Sequence, residues 1–471
     1  MVMDYFTPIS VIAGFLSEPA FVFLESISEN HKHDRFSYFG FDPFLTIEGH
    51  HNGVFLIYSD GRREEREQTI YDCLNELTDH YALTDNPDSL FSSGIMGTLS
   101  YECAQFCESV QVPEKRSLST PIASFIIPRK LLIFDNLFNT LTLVCNVFQD
   151  DAIGQTQEAR YETAVSELNA LETRVAAKVE IQPLGDLVDP FEPICSTCST
   201  GKADFLEKIE RAKTYIREGD IFQVQISRRV SIEVDADPFM LYRYLRYQNP
   251  SPFLFYIKLN DMHLLGASPE LLVDVEDRTM TIRPIAGTRK RFSKHRSESE
   301  IIDELINDEK EKAEHVMLVD LARHDIGRSC EYGSVRVEEL MIIEKYSHVI
   351  HMVSDVKGHL RDNYSAIDAL KFGFPAGTVS GAPKIRAMEI ITELEDCQRE
   401  FYSGGVIFAD FRGNLKSTLT IRALLVKDSV AYTQAAAGVV ADSIPEMEYK
   451  ETENKMRACL SAMHKFRKKD N

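Results

Sequence analysis

The chain lacks the features that direct a protein to or across a membrane. It contains no apolar run of about 18 residues, the length that spans a bilayer. Its first residues, Met-Val-Met-Asp-Tyr-Phe-Thr-Pro, place no basic region before an apolar stretch, so they do not form a secretion signal. We therefore expect a cytoplasmic protein that has no membrane-spanning segment.

Basic residues are too few to balance the acidic ones. The 471-residue chain has 52 Lys and Arg against 73 Asp and Glu, a formal net charge of −21. Such a chain lacks the general attraction to phosphate on which nucleic-acid binding depends, so we expect no nucleic-acid partner. With 44% hydrophobic residues, the composition is that of a globular protein that buries a large core.

Cysteine is present in an odd number, nine, which fits reduced cytosolic thiols better than a disulfide framework. Cys195 and Cys198 have C-x-x-C spacing, and Cys103 and Cys107 lie four apart. Neither pair has the surrounding pattern of a zinc site, so we interpret all four as ordinary thiols.

Several catalytic motifs are missing. Neither G-x-S-x-G nor G-x-C-x-G occurs, so the chain has neither an α/β-hydrolase nucleophile nor a glutamine amidotransferase nucleophile. The dinucleotide fingerprint G-x-G-x-x-G is also absent, and the spacing of Gly377 and Gly381 does not match a nucleotide P-loop.

The hydrophobic pattern predicts two domains. Before residue 150, short apolar runs broken by turn residues predict brief strands, and residues 155–178 have helical spacing. A polar segment over 182–200 is the best linker candidate, so we predict an N-terminal domain over 1–190 and a second over 200–465. Later helices are predicted at 203–218, 297–322, 366–372, 382–394 and 447–465. The fold class expected is α+β, with mostly antiparallel sheets flanked by helices.

Two pairs of glutamates have a spacing that suits a cation. Glu311 and Glu314 are three apart in one predicted helix, and Glu448 and Glu451 repeat that spacing in another. Residues three apart share a helix face, and two such pairs could clamp Mg²⁺. The alternative, two solvated helix surfaces, is favoured by spacing alone. Two segments rich in small residues, 374–384 and a loop predicted at 434–440, could approach an anion or only serve packing.

Seven blocks in a fixed order resemble the chorismate-utilising enzymes. The blocks begin at Asp220, Asn249, Gly266, Arg283, Asp308, Pro375 and Gly438. Within this family the chain is most similar to the large, component I subunits of anthranilate synthase, and the likeness reaches the N-terminal part through Phe23–Ser26. The resemblance implies Mg²⁺-dependent conversion of chorismate and ammonia to anthranilate and pyruvate, in tryptophan biosynthesis.

The nucleophile distinguishes branches of this family. Water-using members carry a lysine base where this chain has Gln223, and aminodeoxychorismate synthases typically carry a nucleophilic lysine where it has Ala286. An amide cannot act as a base and alanine forms no covalent adduct. The resemblance therefore implies ammonia as the nucleophile, delivered by a separate glutamine amidotransferase subunit in a hetero-oligomer.

The resemblance also implies a role for each matching residue. Glu314 and Glu451 would hold Mg²⁺, supported by Glu311 and Glu448. Glu270 would protonate the departing C4 hydroxyl, and His351 and Thr378 would assist the loss of pyruvate. The residues that would bind substrate are Gly287, Thr288, Tyr402, Arg422, Ala436, Ala437, Gly438 and Lys455. Those that would bind L-tryptophan as an inhibitor are Ser26, Pro252, Phe253 and Leu254.

Two positions depart from the family pattern. The usual Gly-Ala-Gly is Ala436-Ala437-Gly438 here, and the added methyl would crowd the substrate or require a negative φ at residue 436. The usual Ala-Arg-Asn-Asp has His324 in its third position.

Other functions stay open on the sequence. An aminodeoxyisochorismate synthase, which stops before pyruvate is lost, shares nearly all of these motifs. A catalytically inactive regulatory subunit would keep the fold, but it has no need of the intact glutamates. The inhibitor segment, in turn, could serve only to pack the two parts of the chain together.

Overall fold

The computed structural model describes residues 1–3, 6–26, 35–83, 91–151, 155–185, 197–198, 200–291, 296–346 and 349–468. Most of the predicted linker, including Cys195, lies outside these ranges, and the Cys198 side chain is not described. None of the helices in the described ranges combines the length and the apolar character that a membrane crossing requires.

Ten α-helices occur in the described ranges. They are α1 (Pro8–Ile12), α2 (Ile70–His80), α3 (Gln157–Ala176), α4 (Lys202–Glu218), α5 (Pro238–Gln248), α6 (Glu298–Asn307), α7 (Glu309–Ser329), α8 (Ala366–Gly373), α9 (Lys384–Leu394) and α10 (Pro445–Lys465).

Twenty-one strands occur in the same ranges. They are β1 (Phe21–Glu25), β2 (Phe36–His50), β3 (Gly53–Tyr58), β4 (Arg63–Arg66), β5 (Gly94–Leu99), β6 (Ala123–Asp135), β7 (Thr140–Cys145), β8 (Thr197–Cys198), β9 (Gln223–Glu233), β10 (Phe253–Leu259), β11 (Met262–Ser268), β12 (Leu271–Glu276), β13 (Thr279–Ile282), β14 (Ile285–Lys290), β15 (Arg336–Lys345), β16 (Val349–His359), β17 (Gly381–Ala382), β18 (Gly405–Asp410), β19 (Leu415–Leu419), β20 (Ala423–Lys427) and β21 (Val430–Val439).

The strands pair in one antiparallel network. One run has the order β9–β21–β20–β11–β10–β1–β2. A second run continues from β2 through β6–β5–β18–β19–β12–β13–β16. The two long strands β2 and β6 pair with each other and so join the two runs. Their ladder shifts register between Pro43 and Leu45. The predicted α+β fold with mostly antiparallel strands is confirmed.

Strands from before residue 190 pair directly with strands from after residue 200. Strand β1 is hydrogen-bonded to β10, and β5 is hydrogen-bonded to β18. The division into domains at 1–190 and 200–465 stays a prediction, but the two segments share one sheet network.

Three local predictions were wrong. The helix predicted over 297–322 is two helices, because Asp308 adopts an extended conformation and its side chain caps α7 through the Lys310 and Glu311 N–H groups. The loop predicted over 434–440 is largely strand β21, since its small residues pair with β9. Helix α2 was missed among the strands of the first 150 residues, although Thr69 caps it.

A buried arginine ties several of these elements together. Arg399 is 1% exposed and forms two hydrogen bonds with the Glu395 carboxylate, at 2.8 and 2.7 Å. It also donates to the carbonyl oxygens of Val379, at 2.8 Å, and of Gln225 on β9, at 2.7 Å. Because Val379 is the neighbour of Thr378, this guanidinium fixes the Thr378 segment against β9.

We expect Arg399→Met to lower the free energy of unfolding by about 3–5 kcal/mol, because it leaves the Glu395 carboxylate buried without its partner. The matched control is Arg386→Met, whose side chain is 33% exposed and pairs with Asp220 and Glu389 at 2.8 Å and with Glu393 at 3.2 Å. Its loss should cost less than about 1 kcal/mol. Urea denaturation of both variants measures the difference, and equal losses would contradict this account.

Candidate active site

A carboxyl group and a hydroxyl group face each other at the end of β11. Glu270 follows this strand, and its Oε1 accepts a hydrogen bond of 2.6 Å from Thr378 Oγ1. Thr378 lies in a 3₁₀ turn, Gly377–Val379. Burial raises the pKa of Glu270 to about 7, while the Thr378 hydrogen bond and the charge of Lys455 act in the opposite direction. A carboxyl group with this pKa can donate or accept a proton near neutral pH.

A second polar pair joins strands β14 and β16. His351 Nδ1 lies 2.9 Å from Thr288 Oγ1, and the His351 ring is 9% exposed. Burial lowers the pKa of His351 to about 4, and the positive charge of Arg422 adds to this effect. The imidazole is therefore neutral at pH 7, and it can accept a proton only from a strong acid or relay one as a neutral group.

Gly287 lets the strand beside Thr288 approach α7. Its φ is +70°, and a Cβ there would lie 2.9 Å from Leu305 Cδ1 and 3.2 Å from Glu311 Oε2. Both the backbone conformation and the available space therefore require glycine. The predicted substrate residue Gly287 and the predicted metal residue Glu311 are neighbours.

Glutamine side chains connect α7 to strand β21. Gln223 Nε2 donates to Glu314 Oε1 at 3.0 Å. A Cβ at Gly438 would lie 2.9 Å from the Nε2 atoms of both Gln223 and Gln225. The structure therefore brings Glu314 and Gly438 to the two sides of Gln223.

Helix α10 presents two carboxylates and an ammonium on one face. Burial raises the pKa of Glu448, and the adjacent negative charge of Glu451 raises it further. Lys455 Nζ lies 2.6 Å from Glu451 Oε1 and donates to the Ala436 carbonyl at 2.9 Å. The negative charge of this carboxylate pair is only partly balanced by the lysine.

The remaining predicted substrate residues surround the end of β21. Arg422 Nη1 donates to the Lys455 carbonyl at 2.5 Å, and burial lowers the pKa of this guanidinium. The Ala436 N–H donates to Tyr402 Oη at 2.8 Å. Ala436 has a negative φ and lies in an apolar cluster with Tyr402, so the strand accommodates its methyl group without strain. Ala437, between it and Gly438, is fully buried.

His324, the other departure from the family pattern, is exposed on α7. Its neighbour Asp325 is buried and accepts a hydrogen bond of 2.6 Å from Lys384 Nζ. The exchange of residue type at 324 therefore leaves this buried pair in place.

The four predicted inhibitor residues line one cavity. Ser26, Pro252, Phe253 and Leu254 surround a space of about 310 Å³, together with Arg35, Asp274 and Glu276. Ser26 Oγ donates to the Pro252 carbonyl at 3.0 Å, across the two parts of the chain. Phe253 is the register partner of Ser268 on β11, and Ser268 Oγ accepts a hydrogen bond from the Glu270 N–H at 3.3 Å.

The predicted metal residues are not preassembled into a metal site. Within the described ranges, no group of three or more Asp, Glu, His or Cys side chains is arranged to hold an ion. The sequence interpretation also missed Arg289, whose guanidinium binds Glu311 at 2.7 Å, Asp308 at 2.8 Å and Glu304 at 3.2 Å. Its position directly after Thr288, the last residue of the block that begins at Arg283, was the available signal.

Comparison with known proteins places these residues in a family. The family profile described as chorismate binding enzyme matches residues 20–461. The chain belongs to this family. It is 38% identical to anthranilate synthase component 1 of Acetivibrio thermocellus, over 98% of this chain and 93% of the relative. It is 39% identical to the protein of the same name from Geobacillus stearothermophilus, over 98% and 92%.

A solved structure agrees with the assignment. Anthranilate synthase component I from Streptococcus pneumoniae TIGR4 superposes with a TM-score of 0.78 at 32% sequence identity, covering 98% of this chain and 99% of that one. The chain thus shares its fold with a family member along nearly its whole length.

We expect Thr378→Val to raise the pKa of Glu270 above its value of about 7, because it removes the hydrogen bond that stabilises the ionised carboxylate. Isotope-edited infrared titration of the carboxyl band measures the shift, and Glu270→Gln identifies the band by removing it. The pKa of Glu270 in the folded chain is above that of a free carboxyl. Protonated Glu270 therefore adds to the free energy of unfolding at low pH, and this stabilisation is lost as the pH rises through 7. A pKa unchanged in Thr378→Val would contradict the assigned hydrogen bond.

Proposed function

We propose that this chain is the large subunit of an anthranilate synthase that acts in the cytoplasm. It would convert chorismate and ammonia to anthranilate, pyruvate and water, as part of tryptophan biosynthesis. The observation that carries the proposal is the family match at 38% identity over 98% of the chain. The contacts of Glu270 with Thr378, of His351 with Thr288 and of Arg422 with the Lys455 carbonyl support the proposal.

The proposed chemistry begins with ammonia adding at C2 of the ring while the C4 hydroxyl leaves. Glu270 would give its proton to that hydroxyl, which departs as water, and a pKa of about 7 keeps a useful fraction protonated. Arg422, with the buried Tyr402 beside it, would bind the enolpyruvyl carboxylate.

Loss of pyruvate would follow. The C3–oxygen bond breaks, the C2 proton is removed, and the enolpyruvyl methylene gains a proton, so that the ring becomes aromatic. Thr288 Oγ1 lies 2.9 Å from Nδ1 of the neutral His351 imidazole, and Thr378 Oγ1 donates a hydrogen bond to Glu270. We propose that His351 and Thr378 assist this step by relaying and orienting the proton.

We propose Mg²⁺ as the cofactor, held by Glu314 and Glu451 and supported by Glu311 and Glu448. The donors fit this ion, because Mg²⁺ takes oxygen ligands and usually binds through one or two carboxylates together with waters and substrate. A site completed by substrate agrees with the lack of a preassembled cluster in the described ranges. When bound, the ion would neutralise the ring carboxylate and the surrounding glutamates.

The second candidate is an aminodeoxyisochorismate synthase, in which pyruvate stays attached. It would use the same ammonia addition and most of the same residues. Only the identity of the product distinguishes the two candidates.

The deciding experiment uses the purified chain with chorismate, Mg²⁺ and ammonium. We expect fluorescent anthranilate and pyruvate, identified by mass. Glutamine should not replace ammonium, because the chain carries no amidotransferase nucleophile; a separate glutaminase subunit should restore that activity. Glu314→Gln should reduce turnover on the order of 100-fold, since replacing even an indirect metal contact has effects of this size.

Retention of the pyruvate group on the product would support the second candidate instead. Turnover that persists in both Glu314→Gln and Glu451→Gln, or that ignores EDTA, would contradict the metal assignment. A folded chain that makes neither product would indicate an inactive regulatory subunit.

We propose that the cavity beside Ser26 binds L-tryptophan and inhibits the enzyme. Its 310 Å³ volume is at the lower end for ligand pockets, which begin at about 300 Å³. We propose that a rearrangement of the cavity shifts the position of Glu270, because Phe253 pairs with Ser268 and Ser268 Oγ accepts a hydrogen bond from the Glu270 N–H. A ligand shifts such an arrangement only by its difference in affinity between the two states.

We expect Ser26→Arg to abolish tryptophan binding, because the larger side chain fills the cavity, while catalytic activity without tryptophan is retained. Calorimetry with tryptophan, in the presence and absence of chorismate and Mg²⁺, measures the effect. Each ligand must weaken binding of the other by the same factor. If the unaltered chain gives no tryptophan heat at millimolar concentration, the cavity only packs the two parts of the chain.

A further inference from the structure

Lys455 connects three groups of the candidate site. Its ammonium contacts Glu451 and the Ala436 carbonyl, and its own carbonyl accepts the hydrogen bond from Arg422. Lys455 therefore contacts Glu451, a proposed metal ligand, and the proposed substrate residues Ala436 and Arg422. Its charge also lowers the pKa of Glu270, the proposed acid.

The ion pair between Lys455 and Glu451 is accessible and replaceable. The two side chains are 33% and 44% exposed, so a solvated ion or a small reagent can reach them. Ion pairs this exposed are weak, because water screens the attraction. Glu448 adds a second negative charge one turn away, which leaves the pair of carboxylates with excess negative charge. A divalent cation would be drawn to this position more strongly than the single ammonium.

A divalent cation at Glu451 would compete with the ammonium for the negative charge of the same carboxylate. Nζ already lies 2.6 Å from Glu451 Oε1, whereas Mg²⁺ binds its oxygen ligands at about 2.0–2.1 Å. The positive charges of the two cations would also repel each other at that separation. Binding of the ion at this oxygen would therefore weaken the ion pair with Lys455 and favour its release.

We propose that Lys455 is an internal counter-ion that holds Glu451 until a divalent cation displaces it, and that the released ammonium then pairs with a carboxylate of the substrate. This inference rests on the proposed function, because it takes Glu451 as a cation ligand and a dicarboxylate as the substrate. One lysine then pairs with Glu451 in the absence of the cation and with the substrate in its presence. It also makes cation binding favour substrate binding, beyond any direct contact between the two.

The proposed exchange of partners is specific to the ion pair of Lys455 and Glu451. Glu311 also has a basic partner, Arg289, but that guanidinium is held by Asp308 and Glu304 as well. An arginine with three acidic partners is not released when one of them changes partner. Glu311 therefore stays in a supporting position, whereas Lys455, held by the Glu451 carboxylate and the Ala436 carbonyl, is the side chain that moves to the substrate.

The first test is acetylation of the folded chain, with Lys455 labelling followed by mass spectrometry. We expect Mg²⁺ without substrate to increase the labelling rate of Lys455 about threefold or more, since release from an exposed ion pair has effects of this size. Lys208, which is 7% exposed between Asp204 and Asp396, is the internal reference and should not change. Glu451→Gln should give fast labelling of Lys455 with or without Mg²⁺.

The second test compares Lys455→Met with Lys450→Met, an exposed lysine on the same helix. We expect Lys455→Met to bind Mn²⁺ about two- to fivefold more tightly without substrate, measured by electron paramagnetic resonance. With the metal present, calorimetry should show weaker chorismate binding. Lys450→Met, which removes the same charge, should change both affinities by less than about twofold.

The outcomes separate this inference from the proposed function. If the unaltered chain binds no Mn²⁺, both the exchange and the metal assignment are overturned. If Mn²⁺ and Mg²⁺ bind but Lys455 labelling does not rise, or if Lys455→Met weakens metal binding, the exchange alone is overturned. The labelling test uses the unaltered chain, so it stays decisive even where the methionine variant fails to fold.

Discussion

The site depends on matching negative charges with partners supplied by the chain itself. Glu270 has the Thr378 hydroxyl, Glu311 has Arg289, and Glu314 has the Gln223 amide. Glu448 and Glu451 are the exception, because two carboxylates share one lysine. A region with this many carboxylates would repel a dianionic substrate. Local pairing offsets this negative charge, and the incompletely paired carboxylates on α10 are among those that we propose bind the cation.

This matching requires elements that are distant in sequence to meet. Strand β9 supplies Gln223, and β21 beside it supplies Gly438, whose missing Cβ leaves room for the glutamine side chains. Arg399 binds the carbonyl oxygens of both Gln225 and Val379, so one buried guanidinium holds β9 and the Thr378 segment together. Misplacement of either would separate Thr378 from Glu270. Buried polar networks of this kind are costly when broken, so the Arg399 contacts hold these two segments in place.

The same network connects the cavity beside Ser26 to Glu270. The two parts of the chain share the pairing of β1 with β10, and β10 pairs with the strand that ends at Ser268. A ligand beside Ser26 would therefore press on strands that lead to Glu270. Such a ligand changes activity only if the chain has two discrete conformations and the ligand binds one of them more tightly than the other.

The sequence by itself determined the fold class, the helices that carry the two glutamate pairs, and the blocks shared with the family. Hydrophobic periodicity and the order of motifs are properties of the sequence itself, so they can be recognised without the structure. It could not show that Asp308 breaks a helix, that residues 434–440 form a strand, or that Arg289 and Lys455 neutralise Glu311 and Glu451. The pairing of β21 with β9 and the ion pair of Arg289 with Glu311 join residues that lie 22 or more positions apart, so only the tertiary structure decided them. The Asp308 cap and the pair of Lys455 with Glu451 are local, but residue spacing alone does not show which of the available side chains bind each other.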